Sequence, residues 1–479
     1  MLRFLAAVAV VCALSCDPAA APLAVVKSAP PANLFVRLGA PEAGADGSPA
    51  HPFASLGAAL AKAPPGAIVH AGEGEFREQL ELRRPVSLVG QGAGKTRLVF
   101  GGSGAAVEVR ADHVELSQLS IEGGTSCIFF SGGKGQKLTG VALSGARQQA
   151  ILGRNAHLVI SRSTLHGVDE MGRGIDFDGG SLEAREVVFR GAGRRGIVLH
   201  AARAVLTDLD IRGPALAAVQ ATGGAEVQVV RGVFADFSGA ALYAAGGSRL
   251  RVLQARISRA EYGLMGFRGS EVVMEGGAVS DYRIAGVALV NSHGSITGAA
   301  FARGGTEGAI SITHADGDLP VLVIDNRIHD PGPMGLHVTE SAVTVRGNSI
   351  TAARLDAQND MGDALYAMDA QLVVEDNVLR GNAGSGVSAL RSKVLITGNG
   401  FIENRRAGVL LLDHSKGTAS GNLFSRNYQS GIELGEAAKA DLTRNRFSGN
   451  VRYDVDGGCG AGAGSASLDA EVRQPTCPP

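Results

Sequence analysis

Two groups of residues in this 479-residue sequence have the types that do chemistry. In the first, "MGLHV" (Met334 to Val338) and "DALYA" (Asp363 to Ala367) supply His337 and Tyr366, with Asp330, Asp360 and Asp363 close by. A neutral imidazole accepts a proton and a phenol donates one, which suits elimination; the same pair can hold a polar ligand by stacking and hydrogen bonding. In the second, "HGVDEMGRGIDFDGG" supplies Asp169, Glu170, Asp176 and Asp178, with Arg195 and His200 beyond it. If Ile175 and Phe177 face a core, strand alternation turns Asp176 and Asp178 outward. Both groups also fit ordinary surface: an opposite-charge ladder on an exposed sheet, and a His beside a Tyr on a polar strip.

What must position these residues is a repeat. The segments "DNRIHD", "GNSITA", "DNVLRGN", "GNGFIEN", "GNLFSRN" and "RNRFSGN" place Asn326, Asn348, Asn377, Asn399, Asn422 and Asn445 at separations of 22, 29, 22, 23 and 23 residues. About ten residues after each comes a second element ("MGLHV", "DALYA", "SGVSA", "AGVLL", "SGIEL") with the period-2 alternation of a strand. Earlier copies read "RGIDF", "RGIVL", "GAALY", "YGLMG" and "AGVAL". A period near 22 is too short for a helical repeat and fits one coil of a parallel β-helix, all-β, in which equivalent residues stack at about 4.8 Å. Roughly 17 coils follow from Pro65 to Asn450, a stack of about 80 Å. The asparagines then form a structural ladder, each turn amide bonding to its equivalent one coil along.

In this register Asp178 stacks between Arg154 and His200, and His337 and Tyr366 face out on adjacent coils about 5 Å apart. The 29-residue interval holds an insertion, "ARLDAQNDMGD", and protruding loops are where function concentrates. All six tyrosines lie in the C-terminal half, which places any glycan-binding face there.

Composition agrees. Gly is 68 of 479 residues with no triplet period, which suits many tight turns rather than collagen. The formal net charge is −1 and there is no long basic run, so no nucleic-acid partner is expected. "GQGAGKT" (Gly90 to Thr96) precedes a β pattern rather than a helix and is a turn, not a phosphate loop.

The exposed first coil of a β-helix has to be covered, and "SLGAALAKA", broken at Pro64 and Pro65, reads as a capping helix before the strand "AIVHAG". Here "HPFASLGAALAKAPPGAIVHAGEGEFREQLELRRPVSLVGQGAGKTRL" resembles the N-terminal module of the right-handed β-helix, pectin-lyase-like superfamily. The resemblance covers the mature chain as a fold and implies little about activity. Methylesterases of that group carry a nucleophilic Asp where "GTSCIFF" has Cys127, and an Arg-Pro-Trp that a chain without Trp lacks. Of the paired aspartates of polygalacturonases, "RGIDFDGG" keeps only Asp176 and Asp178. Resemblance to pectate lyases implies Ca²⁺ on clustered acids, here Asp169, Glu170, Asp176 and Asp178, with Arg195 as base. No other cofactor is implied. Cys127, alone in an apolar run, reads as a small buried hydrophobe.

The ends read as processing segments. Arg3 and the apolar "FLAAVAVVCAL" form an export signal over 1–15, too short to span a bilayer stably. "ALSCD" resembles a bacterial lipoprotein cleavage site with Cys16 as the lipidated residue, although Ala13 stands where that family usually has Leu. Residues 16–33 form a tether, 34–450 the β-helix and 451–479 a capping tail. Cys459 and Cys477, 18 residues apart, are placed to form a disulfide in an exported compartment. The expectation is an exported cell-envelope protein, lipid-anchored to a membrane or else secreted, that binds polysaccharide on its outer face without catalysis. The alternatives are a lyase or glycoside hydrolase acting on an acidic (uronate) glycan, and a passive surface scaffold or adhesin.

Overall fold

The computed structural model describes residues 31–479 except 316, 318, 359, 436, 459–463, 469–471 and 476–479. Cys16, Cys459 and Cys477 therefore lie outside the described residues, as do the export signal and most of the tether. No helix of the described residues is long and apolar enough to cross a membrane.

Most coils lay down three short strands separated by turns, while His157–Val168, Ser181–Ala192, Val233–Ala245 and Arg256–Phe267 each run through a corner from one sheet into the next. Strands of successive coils pair in parallel into three sheets of a right-handed solenoid of about 17 turns. Sheet A begins with Asn33–Val36 and Ala67–Ala71 and ends with Ser465–Leu468. Sheet B runs from Gly74–Phe76 to Arg446–Ser448, and sheet C from Leu80–Leu82 to Val455–Asp456. Alternation sets the register: in Gln371–Glu375, Leu372 and Val374 are buried while their neighbours face out. The core is stacked coil on coil, with the Phe401, Phe424 and Phe447 rings 4.9 and 5.0 Å apart.

Sharp corners need left-handed backbone. At the turn from sheet A to sheet B, Asp325 (φ 55°) and Asp376 (φ 54°) take it, and Gly347 and Gly398 take it in neighbouring coils. The next residue is the ladder asparagine: Asn348 Nδ2 donates to Asn377 Oδ1 at 3.0 Å and to Val323 O at 2.8 Å. A second ladder, Asn382–Asn404–Asn427–Asn450, fills the corner from sheet B to sheet C. Its members stand in the same quoted repeats, but the reading from sequence assigned a single column.

The capping helix is Leu56–Lys62, with Ser55 as N-cap; the carboxylate of Glu78 accepts from Leu56 N and Gly57 N at 2.9 and 2.8 Å. The stack carries further strands at both ends. Asn33–Val36 adds a rung before "AIVHAG", and Val455–Asp456 and Ser465–Leu468 continue sheets C and A past Asn450. Each extra strand satisfies an edge that would otherwise stay open.

Candidate functional site on the outer face of sheet C

One outward column runs the length of sheet C. From the second cluster it passes Asp176, Val198, Gln220, Tyr243, Met265, Ala288 and Ser311 to His337, then Tyr366, Ser388, Leu410, Glu433 and Asp456. The two clusters thus share a face but lie seven rungs apart, about 34 Å.

His337 and Tyr366 are register partners with ring centroids 5.8 Å apart, tilted by 49°. His337 Nε2 lies 3.2 Å from Thr339 Oγ1, while Nδ1 is buried without a partner. Burial holds the His337 pKa below its ordinary value, so the ring is neutral at pH 7. Burial raises the Tyr366 pKa, with Asp363 and Asp369 adding to the effect. Asp363, at the corner where the chain enters sheet C, is 2% exposed. Desolvation raises its pKa to about 6, against the opposing pull of Ser385 N–H, Ser388 and Arg406. Ser385 N donates to Asp363 Oδ1 at 2.5 Å. The hydroxyls of Ser385 and Ser388 are themselves buried without a hydrogen bond of good geometry, Ser388 on the rung directly after Tyr366.

The inserted loop, 352–362, frames this stretch. Arg354 Nε pairs with Asp330 at 2.7 Å, and its Nη2 donates to Gly304 O at 3.0 Å, two coils back. Inside the loop the Asp356 carboxylate accepts from Asp360 N at 2.9 Å and Met361 N at 3.3 Å. Asp330 is thus tied to the loop by Arg354, and Asp360 to Asp356 through its backbone N–H. Farther along the column, Glu433 is held above its ordinary pKa by burial first and by its rung neighbour Asp456 second. Asp456 pairs with Arg452 at 3.4 Å. Sequence reasoning missed Ser388 and Glu433, although "SGVSA" and "SGIEL" place them at the repeat position of His337 in "MGLHV".

The second cluster does not assemble as expected. Asp178 is outward and half-buried, pairs with Arg154 at 2.7 Å and stacks on His200, as its spacing implied. Asp176 is in the outward column but only 6% of its side chain is exposed, because Arg173 pairs with it at 2.5 Å and Leu152 and Val198 flank it. The rung partner of Arg195 is Arg173, not an aspartate, and its Nε is buried without a partner. Burial, then Arg194 and Arg173, lower its pKa. His200 lies 3.3 Å from Thr222. Asp169 and Glu170 are exposed in the preceding turn. Among the described residues no group of three or more His, Cys, Asp or Glu gathers that could hold a metal ion. Cys127 is fully buried with its thiol pushed up to about 12, which leaves it inert.

Two grooves, of about 730 and 830 Å³, lie on sheet A rather than here. The site on sheet C is defined by its unpartnered polar atoms, not by depth.

The fold defines a right-handed parallel β-helix protein, and residues 285–474 match the family model described as the right handed beta helix region. No curated protein matches the chain. Among solved structures, it is similar to an alginate lyase from Paenibacillus sp. str. FPU-7 (12% identity over 46% of this chain and 90% of that one, TM-score 0.39). It is also similar to pectin methylesterase PemA from Erwinia chrysanthemi (12% identity, 44% and 81%, TM-score 0.32) and to pectate lyase Pel9A (11%, 60% and 80%, TM-score 0.37).

Proposed function

We propose that this chain is an exported, lipid-anchored protein of the cell envelope that binds polysaccharide along the outer face of sheet C, centred on Tyr366. One observation carries the reading. His337 Nδ1 is buried without a partner on the rung next to Tyr366. Buried polar atoms are hydrogen-bonded as a rule, so an orphan beside an aromatic ring is an unfinished network that a sugar hydroxyl can complete. The anchor rests on the sequence around Cys16.

A catalytic reading, lyase or hydrolase on an acidic glycan, has its own support. Asp363, with its pKa of about 6, is poised to exchange a proton near neutrality, and His337, its pKa lowered by burial, offers a neutral imidazole as base. One experiment separates the readings: the full chain is incubated with uronate and neutral polysaccharides, followed by glycan retention, unsaturated-product absorbance and reducing ends. Retention without product, with the hold on neutral polysaccharide weakened about tenfold or more by Tyr366→Ala and by His337→Ala, is the expected result. Product that disappears with His337→Ala makes the protein an enzyme. Neither retention nor product overturns both readings and leaves a scaffold.

A further inference from the structure

On its outer faces this solenoid balances charge rung by rung. On sheet A, one outward column passes through Arg203, Glu226, Arg249 and Glu271, which are ion-paired in sequence at 3.1, 4.0 and 3.2 Å. At the corners, Arg231 pairs with Asp208, Arg259 with Asp236, Arg303 with Asp281, and Arg391 with both Asp369 and Asp413.

Farther along, the same sheet A column breaks the pattern. Ala342 and Gln371 lead to Lys393, Lys416 and Lys439 on three successive rungs. All three are exposed, and none forms an ion pair with a described residue. Three of the eight lysines in the chain thus stand directly above one another. Like charges stacked at about 4.8 Å repel and destabilise the sheet. The lysines line a groove of about 830 Å³ whose other walls include Val373 and the exposed Leu395. Asp441 is the one carboxylate among its lining residues, and it too makes no ion pair with a described residue.

We propose that this groove is a second, separate binding track, and that it takes an extended carboxylated polysaccharide lying along the solenoid axis. The lysines supply evenly spaced point charges for a chain of carboxylates, and the aliphatic wall takes the sugar faces. Nucleic acid fits less well, because the lining has neither an aromatic platform nor an arginine. A bilayer fits less well because the surface is concave. The track lies on a different sheet from the Tyr366 site and does not depend on it.

The test uses the full chain and three probes: sodium polygalacturonate, a single-stranded oligonucleotide and phosphatidylserine vesicles, each over a range of NaCl. The variant is Lys393→Gln/Lys416→Gln/Lys439→Gln. Polygalacturonate binding should weaken with salt in the wild type. In the variant the salt-dependent component should fall at least tenfold, while the melting temperature stays level or rises as repulsion is relieved. Tyr366→Ala should leave the salt-dependent component in place, which separates failure of this proposal from failure of the sheet C reading. Unchanged polygalacturonate affinity in the triple variant overturns the proposal. So does lysine-dependent binding of the oligonucleotide or the vesicles that matches or exceeds that of polygalacturonate.

Discussion

Asp363→Asn should stabilise the protein at neutral pH and cost it ligand. The Asp363 carboxyl is buried with a pKa of about 6, whereas in the unfolded chain an aspartate titrates near about 3.9. Below pH ~4 it is protonated in both states and contributes no penalty. As pH rises from about 4 to about 6 the unfolded state loses its proton first, so the folded state holds more protons and stability falls. Above about pH 6 the penalty is complete, about 3 kcal/mol for a shift of about two units. Asparagine keeps an oxygen to accept the Ser385 N–H and carries no charge. Denaturant melts of both proteins from pH 4 to 8 should diverge with rising pH, the variant ending up to about 3 kcal/mol more stable. The many paired surface carboxylates, such as Asp208 and Asp281, have lowered pKa values and act below pH ~4, and they cancel in the difference. A wild type that gains stability relative to the variant between pH 4 and 6 would sink the argument. A residue kept at such a cost is one that function uses, so glycan retention at pH 7 should drop about tenfold in the same variant.

How far this site was legible depends on which kind of information each residue needed. The His337–Tyr366 juxtaposition came from coil length alone, because adding one repeat to an outward position gives another outward position. Ser388 and Glu433 were legible by the same addition but have residue types that read as ordinary repeat. The partner of Asp330 was hidden for a different reason. Its role depends on the inserted loop folding back so that Arg354 reaches both Asp330 and Gly304, and no local pattern encodes that path. The burial of Asp176 was hidden similarly: alternation gives a side chain its direction, but the cover over Asp176 comes from Arg173 beside it.

The fold itself was legible because a solenoid repeats its physics. Each coil needs a left-handed corner, an inward apolar strand and a partner for its turn amide, and these recur every 22 or 23 residues from Asn377 to Asn445. The ends were less legible. Asn33–Val36 and Ser465–Leu468 join the stack through backbone pairing, which demands no particular side chains.

The ladder that made the fold legible should also be where single substitutions are most damaging. Asn399 makes five side-chain hydrogen bonds. Its Nδ2 donates to Val374 O, Thr397 O and Asn422 Oδ1 at 2.8, 3.0 and 3.0 Å. Its Oδ1 accepts from Asn377 N and Nδ2 at 2.8 and 2.9 Å. Asn399→Ala removes all five and leaves the Asn377 N–H and the Val374 carbonyl buried without those partners. An unsatisfied buried group costs about 1–3 kcal/mol, so a loss of about 4 kcal/mol is expected for the set. Asn445, last in the ladder and only half-buried, donates to Ala419 O and accepts from Asn422, with no asparagine above it. Water can replace part of what it does, so Asn445→Ala should cost about 1–2 kcal/mol. Urea melts of the two variants, with hydrogen exchange at Asn377 N–H as a local probe, check the gradient. Equal, small losses at both positions would mean that the ladder decorates the corners; a steep difference means that coil-to-coil amide bonding holds the C-terminal coils in register beneath the Tyr366 site.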